Sequence, residues 1–273
     1  MVEKHMISAE VVTDSVSHEG CRLTTFRLVY PRFIHAHVLT HRAFSRNTSS
    51  SRAIPAAKLA RLVRENPAMP IFWGENEPGM KAHKEVSSET ATAWWLECME
   101  FALEQHKKGL ELNLHKEVLN RILEPYAHVV VILSATDFDN FFDVRAFGAG
   151  VQSETALLAR GMYDALKDST PKEVGQHGWH LPLVQDAEYT DNALDDAYVS
   201  AARCGRVSFL LPELDYATDL QKGRNMAAVK HWSPLEHQAQ PYNPKVHWHS
   251  SMQRNYTGWV QLRALADSAL QNT

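Results

Sequence analysis

The sequence predicts an α+β protein in which a small antiparallel sheet packs with long helices. Two segments, CRLTTFRLVY at 21–30 and AHVVVILSAT at 127–136, carry the alternation or the short β-branched run expected of strands. Long stretches with helical spacing of apolar residues surround them, above all 87–121. Strands are therefore few and separated by long helices, which favours a sheet under helices.

In chain order, the strand at 21–30 runs into Pro31, a residue suited to a first helical turn. The helix RFIHAHVLTHRAF follows, with His37 and His41 expected one turn apart on one face. RNTSSSRAIP, rich in Ser, Thr and Asn and broken at Pro55, is expected as a loop. PAAKLARLVREN reads as a helix, followed by a loop around Trp73, Gly74 and Pro78 and then the helical pattern of 87–121. Beyond the strand at 127–136, DFDNFFDVRA and QSETALLARGMYDAL read as helices around the turn-like FGAG, with Asp137 or the Ser-Glu pair at the caps. A polar connection spans 171–191. The remainder reads as a helix at 195–203, a loop at 212–215, a helix at about 218–231, a short strand near Gln238 and a final helix at 259–270. No internal repeat or low-complexity segment is visible.

Composition limits the function classes. There are 28 Lys+Arg against 32 Asp+Glu, a net charge of −4, with 44% apolar and 22% charged residues. That balance suits a globular chain and excludes collagen-like, disordered and disulfide-framework readings. With no basic block, nucleic-acid polymers are not expected partners, whereas small anions are. The three cysteines, Cys21, Cys98 and Cys204, are odd in number and far apart, which fits a reducing cytoplasm. No run approaches the roughly 20 apolar residues of a membrane span, and the N-terminus lacks the pattern of a signal peptide. Fifteen histidines include close pairs, but H-E-x-x-H is absent and no carboxylate lies between His35 and His41, so no metal is expected. The 273 residues read as a single domain, 1–273.

The chemistry-bearing stretch is Thr40-His41-Arg42-Ala43-Phe44-Ser45-Arg46-Asn47-Thr48-Ser49-Ser50-Ser51-Arg52. Its hydroxyls, backbone N–H groups and Arg52 suit a phosphate, and a solvated linker is the competing reading. The order of residues resembles the signature of flavin-dependent thymidylate synthases, R-H-R-x7-S, often extended to R-H-R-x-x-S-x-N-x-x-S-x-R. His41, Arg42, Ser45, Asn47, Ser50 and Arg52 match; Thr40 replaces the first Arg, and Thr48 stands where an acidic residue is usual. The approach TTFRLVYPRFIHAHVLTHR is similar to the family's strand, Pro and helix, with His37 at a usual Gln. Arg121-Ile122-Leu123-Glu124-Pro125 resembles the R-x-x-L-P segment, and Asn140 with Arg145 in NFFDVRAFGAGVQSE resembles N-F-L-x-x-R…Q-x-E.

Two further segments, AARCGRVSFL at 201–210 and VKHWSPLEHQA at 229–239, resemble the family's A-A-R-V-S and H-x-[TS]-P-F-E-H elements. In ordinary members these precede the R-H-R motif. The chain thus resembles a circularly permuted member, with family N-terminal elements at about 197–240 and a C-terminal extension at 241–273. Chain termini of a domain often lie close together, so such a rearrangement is tolerable. It predicts residues 237–240 beside the strand at 23–27.

The resemblance implies the family fold and a reductive C5 methylation of dUMP to dTMP. Methylenetetrahydrofolate would supply the carbon, and FAD, reduced by NADPH, the hydride. It implies substrate binding by His37, Ser49, Ser50, Ser51, Arg52, Arg121 and Arg145, with Arg145 also catalytic through ionisation of the pyrimidine N3. It implies flavin binding by His41, Arg42, Asn140, His231 and Ser233, with Glu236 and His237 supporting that turn; a core role suits His237 equally. A permanently charged, planar guanidinium stabilises negative charge on a ring in a way a Lys does not. For Arg145 taken alone, a surface ion pair with Asp139 competes. A homotetramer with shared active sites is also implied, with no polymer or membrane partner. Ser134 and Thr136 stand where flavin-binding Asn and Arg are usual, so a same-fold enzyme that methylates or hydroxymethylates another pyrimidine deoxynucleotide such as dCMP is the alternative. A His-rich metal-dependent hydrolase and a non-catalytic nucleotide binder are the readings from other classes. RNYTGWVQLRAL, near the C-terminus, is expected to serve docking or oligomer contact.

Overall fold

The computed structural model describes residues 7–207 and 215–271. The strands are β1 (Ser8–Ser17), β2 (Arg22–Pro31), β3 (Ser45–Thr48), β4 (His128–Ala135), β5 (Lys172–Val174), β6 (Ala239–Pro241) and β7 (Trp259–Gln261). The helices are α1 (His35–Leu39), α2 (Ala56–Glu65), α3 (Ser88–Glu111), α4 (Lys116–Leu119), α5 (Asp139–Phe141), α6 (Ser153–Asp168), α7 (Ala193–Gly205), α8 (Tyr216–Ala228) and α9 (Leu262–Gln271). Five strands make the main sheet in the order β3-β4-β2-β1-β5, and β6 pairs with β7. The expected α+β architecture is present. The main sheet is antiparallel except at one edge, where β5 runs parallel to β1.

Period-two alternation gives the sheet two different faces. Phe26, Leu28 and Tyr30 of β2 and Val129, Val131, Leu133 and Ala135 of β4 share one core with Leu158, Ala159 and Met162 of α6. Burying each large apolar side chain there is worth about 1.5–3 kcal/mol, which pins the register of both strands. The opposite face carries the other residues of the same strands. Thr25 and Ser134, cross-strand partners in β2 and β4, hydrogen-bond through their hydroxyls at 2.6 Å. Thr25 Oγ1 also meets His180 Nε2 at 2.7 Å, and Ser134 Oγ meets His237 Nδ1 at 2.8 Å. His180 Nδ1 reaches Ser15 Oγ of β1 at 2.8 Å. Burial pushes both histidines down to about 3, so both stay neutral; His180 links Ser15 to Thr25 through its two ring nitrogens, whereas His237 bonds Ser134 through Nδ1 and its buried Nε2 has no partner among the described residues.

This polar chain joins the C-terminal third to the sheet. Ala239 packs with Leu23, Val174, Tyr256 and Trp259, and the tail closes over β2. Residues 237–240 therefore do lie beside the strand at 23–27. Helices α7, α8 and α9 form their own apolar core through Ala197, Ala201, Ala227, Leu262 and Ala266. Arg203 of α7, almost fully buried, bonds Glu188 at 2.6 and 2.8 Å and Asp219 of α8 at 3.2 Å, which ties the helix pair together.

Several expectations change. The helix expected through Phe44 ends at Leu39; before it, Arg32–Ile34 is a 3-10 turn, and His41 sits in the following turn. His37 and His41 are accordingly not on one helical face. The polar stretch read as a loop contains β3, because Ser45–Thr48 pairs its backbone with β4 whatever its side chains. Residues 259–261 form β7 where a helix was expected, and Trp259 is fully buried. The segment 87–121 divides after Glu111, where Asn113 adopts φ 57°, a left-handed conformation suited to Asn. Most of the expected loop at 212–215 and part of the 201–210 segment lie outside the described residues.

Candidate functional site

Asn140 opens the local geometry. After α5 the chain widens into a π-turn at Phe142–Ala146, in which the Phe147 N–H donates to the Phe142 carbonyl at 3.1 Å. One extra residue in the turn re-aims the side chains after it, a device frequent at functional sites. Arg145 lies in this turn, and its aim follows from it. Its Nε donates to His41 Nε2 at 3.2 Å and its Nη2 to Thr40 Oγ1 at 3.3 Å. No ion pair with Asp139 forms among the described residues. Thr40, where the related motif has Arg, thus supplies an acceptor to Arg145 and also donates to the His37 carbonyl at 2.7 Å.

The His41 turn is held from below. Arg46 donates from Nη1 to the carbonyls of Val38 at 3.0 Å and His41 at 3.2 Å, closing off the end of α1. The imidazole of His41 stands edge-on to Phe141, with centroids 4.8 Å apart, and stacks on Phe44. Burial lowers its pKa, and the Arg145 and Arg46 charges lower it further. His41 is then a neutral base whose Nε2 accepts from Arg145. His37, bonded at Nδ1 to Thr155 Oγ1 at 2.9 Å, is lowered by the same two causes, burial first and then Arg145, while Glu154 opposes them.

Two cavities lie near this arginine. One, of about 430 Å³, is lined by His37, Phe72, Lys81, Arg145, Gln152 and Glu154 among others. The strap above it is tied down by the buried Glu154, whose Oε1 accepts the Ile71 N–H at 2.8 Å. The other, of about 220 Å³, is lined by Thr40, His41, Arg42, Ala43, Phe44, Asp137, Asn140 and Phe141. Arg145 lines the first and bonds two residues that line the second. A pyrimidine ring in the larger cavity would meet a planar cation whose orientation is already set by two hydrogen bonds. The smaller cavity offers an imidazole, a guanidinium and an amide, a donor set suited to part of a flavin. Its volume is below the roughly 300–1,000 Å³ of a complete small-molecule pocket.

The structure thus brings together Arg145, His37, His41, Arg42 and Asn140. Ser233 and His231 do not line either cavity. Ser233 donates to Asn47 Oδ1 at 3.0 Å, and Asn47 Nδ2 donates to the Cys204 carbonyl at 2.7 Å, so this pair joins β3 to the C-terminal third. His231 is exposed at the turn after α8. Glu236 pairs with Arg263, and His237 sits in the core. The serine group has partners of its own: Ser49 Oγ accepts from the Val130 N–H at 3.0 Å, Ser51 Oγ donates to Glu124 at 2.6 Å, Arg52 pairs with Glu117 at 3.2 Å and Arg121 with Glu124 at 3.0 Å. Lys81, Phe72 and Glu154 line the larger cavity without having been singled out from sequence. Glu154 lay within the Q-x-E resemblance and was thus findable; Lys81 and Phe72 belong to a Pro/Gly loop with no local pattern.

Among the described residues no group of three or more His, Cys, Asp or Glu side chains is arranged to hold a metal ion, and no helix is long and apolar enough to cross a membrane. No curated protein matches the chain. Among solved structures it is similar to the UMP/dUMP methylase PolB from Streptomyces cacaoi bound with 5-Br UMP, at 18% identity and a TM-score of 0.49, over 59% of this chain and 89% of that one. The same methylase bound with 5-Br dUMP gives 16% identity and a TM-score of 0.47, over 60% and 91%. The flavin-dependent thymidylate synthase ThyX from Helicobacter pylori, complexed with FAD and dUMP, gives 22% identity and a TM-score of 0.36, over 53% and 67%. The family model of the thymidylate synthase complementing protein matches residues 21–172, more than half of the chain, and the chain belongs to that family.

Proposed function

We propose that the protein is a flavin-dependent pyrimidine C5 methyltransferase that converts dUMP to dTMP, with methylenetetrahydrofolate as carbon donor and NADPH as reductant. The observation that carries this reading is Arg145, which lines the larger cavity while donating to His41 and Thr40 at the edge of the smaller one. Arg145 faces the pyrimidine and favours loss of its N3 proton; His37 lies beside it, and the neutral His41 fixes the guanidinium plane. Arg42, His41 and Asn140 contact the flavin, which when bound supplies hydride chemistry that the side chains cannot. A homotetramer that shares its active sites, as the family resemblance implies, would complete the flavin site from a second copy.

A circular permutation accounts for the order of the segments. The contact of Ala239 with Leu23 and the His237–Ser134–Thr25 chain support a junction there, with 197–240 in the role of the family's N-terminal elements and 241–273 as an extension, all in one domain.

Purified protein assayed in parallel with dUMP and dCMP, each with FAD, methylenetetrahydrofolate and NADPH, tests the reading. Methylation of dUMP is expected. Turnover of dCMP alone moves the assignment to a same-fold enzyme acting on cytosine nucleotides, and turnover of neither removes it.

A further inference from the structure

A second arginine cluster lies outside both cavities, where the serine loop meets the 3-10 turn Asn120–Tyr126. Glu124 Oε1 accepts from Ser51 Oγ at 2.6 Å, from Arg121 Nη1 at 3.0 Å and lies 3.2 Å from Arg32 Nη2. Arg32 Nη1 also donates to the Ser49 carbonyl at 3.3 Å, and Asn120 Nδ2 to the carbonyls of Ser51 at 2.8 Å and Ile54 at 2.9 Å. One buried hydroxyl and two guanidinium groups therefore converge on a single oxygen. Such a set is what a tetrahedral oxyanion needs, and here a carboxylate of the chain itself is the anion. Glu124 stands at the Leu of the R-x-x-L-P pattern that its segment resembles, so its charge is a departure at that position.

We propose that Glu124 is a specificity-determining residue, a resident counter-anion that fills the cradle of Ser51, Arg32 and Arg121 so that the acceptor's 5′-phosphate is not read there. A phosphate entering the cradle would either stand within a few ångströms of a carboxylate or displace it. The first sets like charges against each other, and the second leaves the Glu124 carboxylate without Ser51 and both arginines as partners. The acceptor's identity rests on the function proposed above; the filled cradle rests on geometry alone.

The test is calorimetric titration of the flavin-loaded protein with inorganic phosphate, then with dUMP and deoxyuridine. Wild type, Glu124→Gln and Glu124→Gln/Arg121→Ala are compared. The Gln amide retains an acceptor for Ser51 and removes the charge. Phosphate and dUMP are expected to bind Glu124→Gln at least tenfold more tightly than wild type, deoxyuridine within twofold of it, and the double variant is expected to lose the gain. Equal phosphate affinity in wild type and Glu124→Gln overturns the proposal, as does, where dUMP binds the protein, a gain for phosphate without one for dUMP. Should Glu124→Gln fail to fold, wild type with Arg121→Ala decides: submillimolar phosphate binding by wild type that Arg121→Ala abolishes overturns it, and its absence supports it. If neither pyrimidine binds any variant, the methyltransferase reading fails, and the phosphate titration still decides whether the cradle is filled.

Discussion

Two arginine clusters, on segments that both resemble the same family, end in opposite states. Around Arg145 the partners are neutral: a threonine hydroxyl and an imidazole kept uncharged by burial and by the neighbouring arginines. The guanidinium charge is oriented without being cancelled, and it borders a cavity of about 430 Å³. Around Arg32 and Arg121 the partner is Glu124, and the charge is met inside the chain. The lesson is that an arginine at a motif position makes a ligand site only when its protein partners leave charge unspent. Neutral acceptors preorganise a cation, whereas a carboxylate neutralises it.

The largest expected effect breaks the open side of that contrast. Arg145→Ala removes a cavity-lining cation held by neutral partners, and kcat with dUMP is expected to fall by about 10²–10³, the scale of losing a preorganised electrostatic group. Stability should change by only about 1 kcal/mol, because Arg145 is only partly buried and its two bonds go to side chains at the same edge. A steady-state assay beside a denaturation midpoint separates the two; unfolding as large as the activity loss would make Arg145 structural. Arg145→Lys should recover only part of the rate, since an ammonium lacks the planar fork.

A smaller effect concerns His41. Its pKa in the folded chain lies below the usual 6.5, because burial and the nearby Arg145 and Arg46 oppose protonation. The imidazole is then neutral at pH 7 and remains so somewhat below 6.5. As pH falls through the lowered value, His41 gains a proton, loses its acceptor lone pair and puts a second cation 3.2 Å from Arg145 Nε. The rate should therefore be level from pH 6.5 upward and fall on the acid side by about tenfold per unit. The stability contribution has the same sign: the unfolded chain binds the proton first, so stability is full above 6.5 and declines below it. A pH-rate profile of wild type against His41→Asn reads this directly; an acid limb unchanged in the variant would assign it to another group.

The contrast also marks what the sequence could disclose. β2, β4 and α6 were readable because burial imposes periodicity on their apolar residues. β1 and β3 were not, because SAEVVTDSVS and SRNT carry mixed or polar side chains and owe their state to backbone pairing with β2 and β4. Arg145, His41, Arg42 and Asn140 were legible through fixed spacing around one strand and one turn. Lys81 and Phe72 were not, since they reach the cavity from a strap positioned by the buried Glu154. His180 lay hidden in a connection whose polar composition says nothing about a fully buried imidazole bridging Ser15 and Thr25. For Glu124 the signal was present in the sequence, a carboxylate three residues after an arginine, but its meaning depends on Ser51 and Arg32, which are distant along the chain.

The smallest expected effect sharpens the closed side. Arg121 is half-exposed and its pair with Glu124 spans a single turn, whereas Ser51 and Arg32 hold Glu124 from the more buried side. An exposed pair of this kind is worth about 0.2–1 kcal/mol at most, and salt screens it further. Arg121→Ala should thus lower stability by under about 1 kcal/mol and leave KM for dUMP within about twofold, because Arg32 and Ser51 keep Glu124 in place. An open phosphate cradle predicts something different: loss of a charge-assisted contact to phosphate costs about 1.5–3 kcal/mol, or roughly tenfold or more in KM. Measuring KM for dUMP in Arg121→Ala at low and moderate salt separates the two, since only the open cradle gives a large rise that grows as salt is removed.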